Sequence, residues 1–339
     1  MSTLLNPNLN ADVYRNMTAA DRPPVPDKHL QFILIYNEKI AILGGSNMTD
    51  RYWSGTVWYY NDISNFDRDK AFVATKTESG VCDAVCIDHD KFVVTEDSGV
   101  LQILNFCQAP GSPLYELQCA GYACLHDSSI LTVSTFSDED HVVTGGLDCC
   151  LKVWDLVELI VTYSFGYAQT DVITCVHVQP QSTTTFASTS LDGEALMWDI
   201  RQSKPAHSIL KKNAGLTAVN WKSTSDHVLA LGTDEGAIML VDTRNSGPSS
   251  VLEETCVFPR SIHRLLFNPN PERSDELAGC CDGTMVQVLD TNNKFSSIYK
   301  DDLRHKDFVR GLTWFNDELH TCSWDNTVFK HTIHPVKNE

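Results

Sequence analysis

HDSSILTVSTFSDEDHVVTGGLDCCLKVWD, residues 126–155, holds three short apolar runs broken by turn residues and closes on Trp154 and Asp155. Apolar and polar positions alternate through ILTVSTF, HVVTGG and LKVWD, the period of a half-buried strand. The tips between them, residues 137–140 and 147–150, are rich in the side chains that tolerate tight reversals. The stretch reads as three antiparallel strands on short turns, a unit too small to bury its own faces.

Most of the chain repeats this unit imperfectly. The first copy is LQFILIY (30–36), IAILGGS (40–46) and TVWYYND (56–62), and the last is FVRGLTW (308–314), ELHTCSWD (318–325) and TVFKHTI (327–333). Turn aspartates Asp97, Asp148, Asp192, Asp234, Asp282 and Asp325 recur at intervals of roughly 40 to 50 residues. The apolar run after the turn often ends on a second aspartate: Asp155, Asp199, Asp242 or Asp290. A period of this length built from turn-linked β runs predicts propeller blades. No segment between the runs keeps a 3.6-residue period over three turns, which excludes a parallel sheet with crossover helices. The expected architecture is all-β, a seven-bladed propeller over 29–334, with an N-terminal extension 1–28 and a C-terminal tail 335–339. The seventh unit leaves too few residues for an outer strand. Part of 11–22 is therefore expected to pair onto the last blade and close the ring, removing exposed edges.

At this point the repeats resemble the WD-repeat family, over about residues 29–334. His126, Thr144, Asp148 and Trp154 stand where blades of that family link histidine, hydroxyl, turn aspartate and tryptophan. The fourth unit keeps Ser188, Asp192 and Trp198 but has Gln169 at the histidine position. The seventh keeps His305, Thr321 and Asp325 and has His331 at the tryptophan position. Hydroxyl, histidine and aspartate together invite a catalytic reading. Their recurrence from blade to blade makes them structural, since a buried network rigidifies each unit when every group is satisfied.

Composition narrows the function. Acidic side chains number 44 against 26 basic, a net charge of -18, which disfavours nucleic acid and anionic membranes and favours basic partners. Asp138–Asp140, Glu253 with Glu254, and Asp301 with Asp302 are candidate acidic patches for steering such partners. No apolar run of membrane-spanning length occurs. The 12 cysteines are scattered, with no Cys-x-x-Cys and no zinc spacing, so they are expected to be free, buried thiols in a reducing compartment. The expected location is cytoplasm and nucleus. Neither a nucleophile elbow, a phosphate-cradling glycine loop nor a nucleotide fingerprint is present, so neither catalytic residues nor cofactors or metals are expected.

The most informative departure lies in the first unit. Its turn between second and third strands runs from Asn47 to Gly55, against about three residues elsewhere, and carries Arg51, Tyr52 and Trp53. These residue types dominate binding hot spots, so the three are the candidate partner-binding residues. RYWSGTVW (51–58), TESGV (77–81), EDSGV (96–100) and HKDFVR (305–310) are similar to the methylosome WD-repeat proteins. That resemblance implies a non-catalytic partner of the type II (symmetric) protein arginine methyltransferase, in a hetero-oligomer, with Trp53 inserted into the enzyme. It further implies arginine-rich substrates such as histones and Sm proteins. A competing expectation comes from Trp198-Asp199-Ile200-Arg201, a Trp-Asp-x-Arg pattern found in substrate receptors of cullin-type ubiquitin ligases.

Overall fold

A computed structural model describes residues 28–47 and 53–333. They form seven antiparallel sheets with no α-helix, six of four strands and one of three. The chain is an all-β, seven-bladed propeller. Blade one comprises β1 (His29–Asn37), β2 (Ile40–Asn47), β3 (Ser54–Tyr60) and β4 (Val73–Thr77). Blade two comprises β5 (Val81–Cys86), β6 (Lys91–Glu96), β7 (Val100–Gln108) and β8 (Tyr115–Cys124). The stretch 126–155 supplies the first three strands of blade three, Ile130–Thr135, His141–Gly146 and Leu151–Asp155, and Ile160–Phe165 is its outer strand.

Burial follows the alternation. In blade three the second and third strands are largely covered, and the outer strand Ile160–Phe165 faces water along most of its length. The core lies between blades rather than within them. Phe136, Val143 and Val153 of blade three pack on Val176, Phe186 and Trp198 of blade four in one cluster, as facing sheets do. A further cluster joins Leu30, Ile33, Leu43, Trp58 and Tyr60 of blade one to Cys322 of blade seven, so an apolar seam closes the ring. The inner strand of blade seven (Val309–Phe315) lies against β1 there. Gly311 makes that approach possible, because a Cβ would stand 2.9 Å from the Ile33 nitrogen.

Three features differ from the expectation or fall outside the described residues. The closing strand expected within 11–22 falls outside the described residues, and among those described blade seven has three strands. The β2–β3 turn is shorter than the sequence implies, because pairing extends through Asn47 and Ser54, leaving 48–53 as the connection. The flanking residues could pair, and pairing satisfies backbone groups that a loop would leave to water. All 12 cysteines are free, but they are not uniformly buried: Cys280, Cys281 and Cys322 are, whereas Cys119, Cys124 and Cys256 are exposed. The exposed three lie on outer strands, whose alternate positions face solvent.

Connectivity defines two faces. One carries the turns from second to third strand and the crossovers from each outer strand to the next blade. The other carries the first-to-second and third-to-fourth turns. Between them the channel is crossed at its waist by Arg264, on the inner strand Ile262–Phe267 of blade six. It donates to Asp83 of β5 at 2.5 Å.

Candidate partner-docking face

The hydroxyl–histidine–aspartate sets are assembled inside blades three and seven, in an arrangement that resembles a catalytic site. In blade three His126 Nδ1 meets Asp148 Oδ2 at 2.8 Å and its Nε2 meets Thr144 Oγ1 at 2.8 Å. Trp154 Nε1 donates to the same hydroxyl at 2.8 Å. In blade four Gln169 stands in for histidine: Ser188 Oγ donates to its Oε1 at 2.7 Å, and Trp198 Nε1 donates to Ser188 at 2.8 Å. Glutamine cannot also reach the turn aspartate, and Asp192 instead accepts from the Thr170 backbone at 2.8 Å. In blade seven His305 Nε2 meets Thr321 Oγ1 at 2.7 Å and its Nδ1 lies 3.3 Å from Asp325. His331 takes the tryptophan's place, its Nε2 2.8 Å from Thr321 and its Nδ1 2.9 Å from the Tyr299 hydroxyl.

These sets cannot act on a substrate. Thr144, Ser188 and Thr321 are fully buried and saturated by neighbours. Burial lowers the pKa of His126 and of His305 against the opposing pull of Asp148 and Asp325, which keeps both neutral. Burial likewise pushes the Cys280 thiol up to about 12, the reverse of what a nucleophile needs. Thr144→Val is expected to cost about 2 kcal/mol or more, because the Trp154 N–H loses its acceptor inside the sheet. A urea midpoint lowered at constant slope would register that loss, and an unchanged midpoint would show the network to be energetically idle.

The candidate partner contacts lie on the crossover face. Trp53 is the last residue before β3 and stands 54% exposed there. Arg51 and Tyr52 lie outside the described residues. Trp53 borders a funnel of about 380 Å³ at the mouth of the channel, shared with Gln31, Asn47, Asp97, Arg310 and Trp324. Two of these, Trp324 and Arg310, escaped the sequence reading. Trp324 immediately precedes the turn aspartate Asp325, as Leu147 precedes Asp148 and Leu191 precedes Asp192, and that register was the available signal. The Arg310 guanidinium lies 4.6 Å over Trp324 and 5.1 Å over Phe308. Its Nη1 donates to Asp282 at 2.8 Å and to His263 Nδ1 at 2.9 Å. Burial, then the charges of Arg310 and Arg264, hold His263 well below its ordinary pKa, so it is neutral and can accept. The same face exposes Leu125, Leu147, Tyr167 and Leu191 around the rim. Apolar side chains around a preformed mouth, with charges already paired, suit a folded protein partner.

The acidic patches are not equivalent. Asp301 is spent at the end of the outer strand of blade six, accepting from Tyr299 and from the Leu303 backbone. Glu254 is paired with Lys212 at 2.8 Å. Asp138 accepts from the backbone of Asp140 and of His141, and Glu139 stands exposed beside it. Arg201 of the Trp198–Arg201 motif pairs with Asp199 at 2.6 Å, and Arg244 pairs with Asp242 at the same distance one blade on. The Asp-x-Arg pair thus recurs at the ends of the third strands of two adjacent blades, with Val241 where blade four has Trp198, and does not single out a ligase contact.

Comparisons with known proteins converge on one family. The model for the WD domain, G-beta repeat, matches residues 118–155, which covers most of the stretch that decided the fold. Methylosome protein WDR77 of Xenopus laevis is 31% identical over 298 residues, 86% of this chain and 86% of that protein. Protein valois of Drosophila melanogaster is 28% identical over 166 residues, 45% of each chain. WD repeat-containing protein ATCSA-1 of Arabidopsis thaliana is 28% identical over 113 residues, 33% of this chain and 25% of its own. With the blade networks in place and the first relative matched along nearly its whole length, this chain belongs to the WD-repeat family of methylosome proteins.

Proposed function

We propose that this chain is the non-catalytic scaffold subunit of a protein arginine methyltransferase complex, stabilising the enzyme and presenting basic, arginine-rich substrates to it. The observation that carries the reading is Trp53, a large aromatic side chain held half in solvent at the rim of a rigid funnel, in a chain so similar to a methylosome protein. A rigid ring offers a preorganised face, which lowers the ordering cost of association. The enzyme would be of the type II, symmetric class, in a hetero-oligomer in cytoplasm and nucleus. Histones and Sm proteins fit the substrate role, because a surface with a net charge of -18 attracts basic tails.

Affinity purification of the full chain from cells tests the proposal. An arginine methyltransferase in near-equal amount is the expected result. A ligase adaptor in its place, or no stoichiometric methyltransferase, would overturn it.

A further inference from the structure

Blade two is built longer than the ring requires. β7 and β8 run 9 and 10 residues, whereas third and outer strands elsewhere run 4 to 7. β6 stops pairing with β7 at Asn105, yet β7 and β8 continue to pair through Phe106, Cys107 and Gln108. The added length carries an aromatic stack out of the core onto the face opposite Trp53. Tyr59, 3% exposed, lies parallel to Phe106 at 4.1 Å, and Phe106 lies near-parallel to Tyr115 at 5.3 Å. Phe72 tilts against both, 6.0 Å from Phe106 and 5.7 Å from Tyr115. The outer members are in solvent: Phe72 is 43% exposed, Tyr115 47% and Leu114 at the hairpin tip 70%. No interior packing accounts for these three.

Carboxylates border the stack. The β5–β6 turn holds Asp88 and Asp90, with side chains 55% and 49% exposed, and the Asp90 carbonyl accepts from the Phe106 backbone at 2.7 Å. His89, paired with Asp88 at 2.7 Å, and Lys91 offset only part of this charge.

We infer that the exposed edge of the Tyr59–Phe106–Tyr115–Phe72 stack, together with Asp88 and Asp90, is a docking surface for an arginine-rich peptide segment. A guanidinium is flat and weakly hydrated, so it lies on an aromatic face while its N–H fork reaches a carboxylate at the rim. An ammonium matches neither demand as well. The placement deepens the scaffold reading, on which it rests for its biological use, by putting substrate capture on the face opposite the enzyme contact.

The experiment uses the full-length chain alone and a fluorescent peptide of alternating arginine and glycine, with the lysine–glycine peptide as comparison, followed by anisotropy. The arginine peptide binds more tightly, and its affinity falls as salt rises. Phe72→Ser with Tyr115→Ser weakens it by about tenfold or more, and Tyr115→Phe retains it. Asp88→Asn with Asp90→Asn weakens binding and flattens the salt dependence, without touching the stack. Three results would overturn the inference: equal affinity for the lysine peptide, an aromatic double variant that binds like wild type, or substitutions that change only self-association, which would assign the patch to a second copy. Methyltransferase is absent from this assay. No peptide binding by the wild-type chain, with methyltransferase still co-purifying, would sink the inference alone, and peptide binding without co-purification would sink only the enzyme partnership.

Discussion

Acidification from pH 7 to pH 5 is expected to lower the unfolding free energy by several kcal/mol. His177 and His331 are the principal carriers. Burial takes each from 6.5 to about 4 in the folded protein. The unfolded chain therefore binds more protons in this window, and stability must fall as pH falls below 6.5. The loss saturates only below the folded value near 4. At pH 5 each contributes about 2 kcal/mol, from 1.36 kcal/mol per unit over about 1.5 units. His126, His263, His305 and His320 are all lowered by burial and add in the same direction. Glu96 and Asp97, raised by burial, act the other way. Asp242, which the Arg244 hydrogen bonds hold at about 2, and Asp199, lowered by Arg201, lose their contribution only below about pH 4, so they do not confuse the interval. Urea titrations at pH 7, 6 and 5 measure the slope, and His331→Gln should reduce it by up to one proton. A stability that stays level from pH 7 to 5 would mean that these imidazoles are solvated or charged in the fold.

Several of those histidines were visible in the sequence as rivets, and the reason they were visible also explains what was not. Repetition amplifies weak signals: the turn aspartates and the alternating runs fixed blade number and strand order although single strands of five or six residues carry little information alone. The network around Thr144 could be anticipated because its members recur at constant spacing. The outer strands were hardly visible, since Ile160–Phe165 and Ser296–Asp301 face water on much of their length and read as polar loop. The funnel was half visible. Trp53 stood out as an insertion, but Trp324 and Arg310 reach the same mouth from blade seven, 271 and 257 positions along the chain. The cross-channel pair Asp83–Arg264 had no local signal either, being brought together by ring closure. The aromatic stack was legible only as scattered rings, because Tyr59, Phe72, Phe106 and Tyr115 belong to two blades.

Trp53→Ala is expected to weaken association with the methyltransferase by roughly 30-fold or more, the equivalent of about 2 kcal/mol for a central aromatic anchor. The fold should not register the change. Trp53 is 54% exposed and precedes β3, whose pairing with β2 runs from Asn47 and Ser54 inward. Its neighbour in the funnel behaves differently. Trp324 is stacked edge-on with His29 and Phe308 at 5.3 Å and donates to Gln31 at 3.3 Å, so Trp324→Ala should lower thermal stability as well as any affinity. Comparing the two variants separates an anchor from a strut. Calorimetry gives the affinities and thermal melts give the stabilities. If Trp53→Ala keeps wild-type affinity, the anchor lies elsewhere on the crossover face, and Tyr167, 87% exposed, becomes the next residue to replace. If it loses affinity only together with stability, Trp53 is covering the blade edge and the partner contact assigned to it is wrong.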